Sequence, residues 1–147
     1  MILDYLCGIT ETTILKYEAL ELTLKHSPFG IAITDRDLKY IAYSDAWVTL
    51  NSLEALSLTG MTHLDLFPEI KSREDWMGVY NKALDGQSDY SPFNVHHDRE
   101  GNPIYTRWYV RPWIHKETNS VGGLILIYDI IGETVAEVKA RVLRGEL

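Results

Sequence analysis

Apolar side chains along the 147-residue chain change period several times, and the changes mark out its elements. Over residues 10–25, Ile14, Tyr17, Leu20 (or Glu21) and Leu24 fall near helical spacing, with Leu15 and Leu22 widening the stripe. Thr10 or Thr12 caps this helix. His26-Ser27-Pro28 stops it, because the residue before a proline disfavours helical backbone. The period then shortens. Residues 30–34 and 38–43, on either side of the Asp35-Arg36-Asp37 turn, read as a hairpin. Ser44 or Asp45 caps a short helix carrying Ala46, Trp47 and Leu50. Further helical pieces are predicted over 53–58, ended by Gly60, and over 64–70, broken by Pro68.

The strongest helix runs over 72–85, with Ser72 as cap and Asp75 suited to the positive first turn. Trp76, Val79, Tyr80, Ala83 and Leu84 form its one apolar face, and Gly86 ends it. Three strands follow at 90–97, 104–115 and 121–129, joined by turns at 98–102 and 116–120. A last helix starts near Thr134, where Thr134 and Glu137 match a capping box. Its Val135, Val138 and Val142 recur at spacings of three and four. Hairpins flanking a helical block define an α+β domain, since a doubly wound α/β chain would alternate its elements.

Composition narrows the function. The length suits one domain. A net charge of −7 argues against nucleic acid or an anionic membrane as partner, because phosphate recognition needs a basic footprint. The longest clean apolar run, 124–128, is far short of the about 20 residues a membrane-spanning helix needs. The first nine residues lack the basic start of a signal peptide. Cys7 is the sole cysteine, so no internal disulfide or thiolate zinc site forms, and a cytoplasmic location is expected.

The order and the local motifs together resemble a PAS domain. Ser27-Pro28-Phe29-Gly30-Ile31-Ala32-Ile33-Thr34-Asp35 is similar to the family's first strand. Tyr43-Ser44-Asp45-Ala46-Trp47 is similar to its second strand and first short helix, with Asp45 where the family usually has Asn. Gly60 and Asp65-Leu66-Phe67-Pro68-Glu69 resemble the approach to the long helix. Arg111-Pro112-Trp113, then 122–127, then Asp129-Ile130 resemble the last two strands and the terminal Asp-Ile-Thr element, with Ile131 in place of its Thr. The resemblance implies a five-stranded antiparallel sheet with helices on one face and a pocket between them. It also implies regulation of a histidine kinase of a two-component system, a cyclic-dinucleotide enzyme or a transcription factor. The expected organisation is a flanking helix over 1–26, a PAS domain over 27–131 and the start of a signalling helix over 132–147. Asp129 and Ile130 would couple the domain to that helix. The helix's apolar stripe is unfinished at Leu147, which suggests a C-terminal effector domain in a longer protein.

Strand alternation says more. In the fourth strand Ile104, Thr106, Trp108 and Val110 share one face, opposite Tyr105, Arg107, Tyr109, Arg111 and Trp113. In the fifth, Leu124, Leu126 and Tyr128 alternate with Val121, Ile125 and Ile127, so both faces are apolar. A sheet wetted on one face would be polar there, so the second face needs a cover. The N-terminal helix is the candidate, folded back from its own chain or contributed by a second copy. The expected homodimer would use Ile14, Tyr17, Leu24, Ile125 and Ile127.

Candidate chemistry is sparse. Trp47, Leu50, Trp76, Tyr80, Trp108 and Tyr128 could line an organic-ligand pocket with Tyr43 or Thr106 as polar handles, or they could simply fill the core. His96-His97 point to opposite faces of a strand and cannot share a metal from one side. The helix over 72–85 has no His, and haem-type relatives commonly ligate from there, so haem is disfavoured. Flavin–thiol photochemistry is excluded, because Cys7 lies outside the helical block, and noncovalent flavin has no positive support. Gly122-Gly123 marks a close backbone approach or a bulge. The expectation is a non-catalytic sensory and dimerisation module. Two alternatives stay open: a ligand-free scaffold, and a small cavity enzyme using Asp45 and His63 for proton abstraction.

Overall fold

In a computed structural model of the protein, the residues described are 10–54, 57–97, 101–132 and 135–145. The readings placed on Cys7 and on the Thr134 capping box lie outside them.

Helix α1 (Glu11–Lys25) starts where Thr10 accepts a bond from the Thr13 N–H at 3.1 Å, which settles the cap on Thr10. None of its residues is buried. The helix therefore does not fold back to cover its own sheet, and that form of the expected cover is corrected. Its apolar residues at 14, 15, 17, 20, 22 and 24 are spread around the helix and offer no single face to bury.

Strands β1 (Gly30–Thr34) and β2 (Tyr40–Tyr43) pair antiparallel. The Asp35 carboxylate accepts from the Asp37 and Lys39 N–H groups at 2.8 and 3.0 Å. That turn delays β2 to Tyr40. Ser44 caps α2 (Asp45–Leu50), accepting from the Trp47 N–H at 3.1 Å while its hydroxyl donates to the Phe29 carbonyl at 2.9 Å. Ser44 thus stitches α2 to the start of β1. No helix forms among the described residues of 53–58. Ser52 is left-handed there, with φ +59, and Leu53 and Leu58 reach the core from irregular chain.

Helix α3 (His63–Leu66) is followed by a 3-10 helix (Pro68–Ser72) and by α4 (Glu74–Leu84). Ser72 is not the cap of α4. It ends the 3-10 turn begun by Pro68, its hydroxyl donating to the Glu69 carbonyl at 3.0 Å, and Arg73 stands at the cap position. Strands β3 (Asp89–His97), β4 (Pro103–Ile114) and β5 (Val121–Ile130) complete a five-stranded antiparallel sheet ordered β2-β1-β5-β4-β3. Pro92 lies in β3, and the register shifts between Ser91 and Asn94. Helix α5 (Val135–Leu143) closes the chain.

The core lies between one sheet face and helices α2 to α4. Ala32, Val110, Leu124 and Leu126 meet Trp47, Tyr80 and Ala83 there. A smaller core joins Ile104 and Ile130 to Val138 of α5, with Leu50 of α2 packed against it. The other face carries half-buried Ile125 and Ile127 and exposed Tyr105 and Tyr109, so its apolar character is as the alternation predicts. At the start of β5, the Trp113 indole N–H donates to the Thr34 carbonyl at 2.7 Å. The Gly122-Gly123 pair is a close approach: a Cβ at Gly122 would run into the Trp113 ring, and one at Gly123 into the Thr34 carbonyl.

Candidate functional site

A cavity of about 220 Å³ lies between the sheet and the helices. Its walls include five of the eight residues expected from the sequence: Trp47, Trp76, Tyr80, Trp108 and Tyr128. Position i and i+4 on α4 bring Trp76 and Tyr80 together, stacked with centroids 5.8 Å apart. Trp76 also leans on Trp108 of β4 at 4.8 Å.

The other three expected residues do not line this cavity. The Tyr43 hydroxyl accepts from the Leu58 N–H at 3.3 Å and secures the irregular segment. Leu50 turns away, into the small core with Ile130 and Val138. Thr106 is buried and borders an adjoining cleft, on the other side of the shared wall residues Trp76, Trp108 and Tyr128, with Asn94. In place of these, the cavity has His63, Phe67 and Arg73.

His63 is 4% exposed and lies between two tyrosines. Its Nδ1 is 2.5 Å from the Tyr40 hydroxyl and its Nε2 is 2.9 Å from the Tyr80 hydroxyl. Both rings stand edge-on to it. Burial disfavours the charged imidazolium and lowers its pKa to about 4. Burial likewise pushes the Tyr40 and Tyr80 hydroxyls above the ordinary tyrosine range and Tyr128 to about 12. The Trp47 indole N–H leans toward Tyr40 and opposes part of that rise. It lies outside hydrogen-bond geometry, however, and has no acceptor among the described residues.

The His63 environment predicts a pH dependence of folding. The unfolded chain, with an ordinary histidine pKa near 6.5, binds a proton that the folded chain refuses until about pH 4. Stability from this group is therefore lost as pH falls from about 6.5 toward 4, by about 3 kcal/mol in all. Urea unfolding at pH 7.5 and 4.5 should show this loss. His63→Gln should flatten it, and an undiminished slope in that variant would place its origin elsewhere.

The Asp45–His63 enzyme reading is corrected by position. Asp45 is exposed, with its carboxylate 4.0 Å from the ring of His26, whereas His63 is enclosed by Tyr40 and Tyr80. No proton passes directly between the two. Among the described residues no cluster of three His, Cys, Asp or Glu could hold a metal ion. The His96 and His97 side chains lie outside the described part.

The two expected coupling residues face opposite ways. Asp129 points to the outer face, bonded to Arg107 at 2.8 and 3.0 Å, and the Arg107 guanidinium sits 5.8 Å over the Phe29 ring. Ile130 points inward onto Val138. Of the residues expected at a dimer interface, Ile14 and Tyr17 are exposed on α1, and Leu24, Ile125 and Ile127 are half-buried.

A helix-covered antiparallel sheet of this order, with a cavity beneath the helices, is the architecture of a sensory domain. The sequence profile of the PAS fold matches residues 24–136, and the chain belongs to the PAS family. No curated protein matches the sequence significantly. Among solved structures, the chain is similar to the VqmA dimer of Vibrio cholerae, with 15% identity, TM-score 0.57, and coverage of 80% of this chain and 51% of that one. It is similar to the PAS domain of BvgS from Bordetella pertussis, with 16% identity, TM-score 0.57, and coverage of 88% and 93%. It is also similar to the PAS domain of a Colwellia psychrerythraea protein, with 19% identity, TM-score 0.56, and coverage of 80% and 97%. The chain spans between half and two thirds of the first VqmA chains it matches, 51% and 59% of their length.

These likenesses correct one expectation. Net charge argues against a nucleic-acid partner, yet several neighbours are VqmA, a LuxR-type receptor with target DNA. In such a protein the charge of the sensory domain does not decide what the whole protein binds, so the exclusion does not hold. Among the described residues no helix is long and apolar enough to cross a membrane.

Proposed function

We propose that this PAS domain is a non-catalytic cytoplasmic module that takes a small organic molecule into its cavity and signals through α5 to a C-terminal output domain. The observation that carries the reading is the position of α2. Trp47 on this helix forms a cavity wall, and Leu50, one turn on, packs on the Ile104–Ile130–Val138 cluster that docks α5. A shift of α2 on ligand entry changes the seat of α5 directly. Ile130 belongs to this route from inside, and Asp129 serves it from the outer face through Arg107. The output domain is of the kind PAS domains regulate: a two-component histidine kinase, a cyclic-dinucleotide enzyme, or a DNA-binding regulator of the VqmA type.

The module works without haem or flavin–thiol chemistry. Helix α4 offers no histidine. His63, which lines the cavity, has both ring nitrogens engaged by tyrosines. The module forms a homodimer, in which the exposed apolar side chains of α1 and the outer face around Tyr109 and Ile127 cover each other.

A metabolite library screened by thermal shift should contain a compound that raises Tm, since a ligand of the native state stabilises it. The same compound should change amide exchange in α5. Stabilising compounds that leave α5 unchanged would refute the coupling. Sedimentation at high micromolar concentration should show a dimer, and a monomer there would remove that part of the reading.

A further inference from the structure

Helix α4 packs over β4 and β5, and a cleft of about 480 Å³ opens between it and β3. Arg73, Trp76, Trp108 and Tyr128 are shared between this cleft and the aromatic cavity, and the cleft is the more polar of the two. Thr106 borders the cleft and is 2% exposed, yet its hydroxyl has no hydrogen-bond partner among the described residues. Asn94 stands directly opposite on β3, in register with Thr106, so both side chains rise from the same face of the sheet. The half-buried Asn94 carboxamide is also without a partner among the described residues. Tyr128, in the shared wall, adds a third such group, its phenol hydroxyl. Valine would fill the place of Thr106 without an unpaired hydroxyl, so packing alone does not account for threonine there.

We infer that the cleft is a second, polar subsite beside the aromatic cavity, and that it takes a carboxamide group of a ligand. The inference rests on the ligand-binding reading above and extends it to a neighbouring site. A carboxamide presents a carbonyl acceptor and an N–H donor side by side. Asn94 offers the same two groups in one plane, so the two edges pair, and the Thr106 and Tyr128 hydroxyls can each turn to meet a remaining donor or acceptor. Trp76 and Trp108, in contact at 4.8 Å, give flat apolar surface to the rest of the molecule. Charge at the mouth of the cleft is balanced, because Arg73 and Asp75 are both exposed there and hold each other at 2.8 Å. A carboxylate ligand would have to compete with Asp75 for Arg73, and it would bring no donor to the Asn94 oxygen.

Three probes of similar size separate these cases. Benzamide carries donor and acceptor, acetophenone the acceptor alone, and benzoate a negative charge. NMR titrations of the full chain at pH 7.5 should show benzamide binding at least about five-fold more tightly than the other two. The shifts should centre on the Asn94 side-chain amide and the Thr106 methyl group, and not on the His63 ring. Thr106→Val should leave Tm unchanged or raise it, since no bond is lost, and should weaken benzamide about five-fold. Asn94→Ala should bring benzamide down to the level of acetophenone. A lower Tm in Thr106→Val would show that the hydroxyl is already engaged in holding the fold, and would overturn the inference. Equal affinities, tighter binding of benzoate, or shifts centred on His63 would also overturn it and leave the cavity reading standing. Failure of all three probes to bind would overturn the carboxamide assignment, while the metabolite screen above still decides the cavity.

Discussion

Gly123→Ala is expected to destabilise the domain by about 3 kcal/mol or more and to lower Tm by about 10 °C. The added Cβ would overlap the Thr34 carbonyl, which is backbone and has no rotamer to yield. To make room, β5 must move off β1. Thr34 is fully buried, its carbonyl accepts from the Trp113 indole, and its hydroxyl oxygen accepts from the Leu124 N–H at 3.3 Å. Both bonds are strained by any such movement. Gly78→Ala is the control. That position lies inside α4, and a Cβ there meets nothing within 4 Å. It should gain about 0.5–1 kcal/mol from helix propensity. Thermal melts of the two variants test the contrast. If Gly123→Ala melts with the parent protein, the tight approach of β5 to β1 is wrong.

Val138→Asp should release α5 while leaving the sheet folded. Val138 is fully buried against Ile104 and Ile130, and a carboxylate there would have no partner. Undocking is the cheaper outcome. A helix of nine residues does not persist alone in water, so α5 should melt once it is released. Amide exchange in 135–143 should approach that of unfolded chain, with β4 and β5 still protected. The cavity lies on the far side of α2, so ligand binding should survive while the response of α5 disappears. Continued slow exchange in α5 would show that Val138 does not hold it.

These two sites differ in how far the sequence announces them. The Gly122-Gly123 pair at a strand start is readable as a close approach, because glycine inside a strand needs a reason. Period-two alternation in β4 likewise separates Ile104 and Val110 from Tyr105 and Tyr109, and the structure buries the first pair and exposes the second. Helix ends were harder to read. Ser72 has the chemistry of a cap, but Pro68 four residues earlier starts a 3-10 turn that absorbs it. Leu53 and Leu58 look like a helix face, but Ser52 turns the chain left-handed, and both leucines are buried from irregular structure.

The polar centre of the cavity was not legible at all. His63 meets Tyr40 and Tyr80 from 23 and 17 residues away, across three separate elements. No local spacing encodes that meeting. The aromatic walls could be named because large side chains at inward positions are few. Their division between cavity and core depends on rotamers: Trp47 and Leu50, on one short helix, end up in different cores.

Pro92 and the register shift beside it sit in β3, the outermost strand beyond β4, and the opposite margin is the four-residue β2. A strand from another molecule needs a straight row of free N–H and C=O groups to add to. Proline removes a donor from that row, the shift bends it, and β2 is too short to template much. The sheet is thereby closed to growth by lateral strand addition, and fibrillar polymerisation is suppressed. In the dimer proposed above, copies of the domain would therefore meet face to face and stop at a finite assembly.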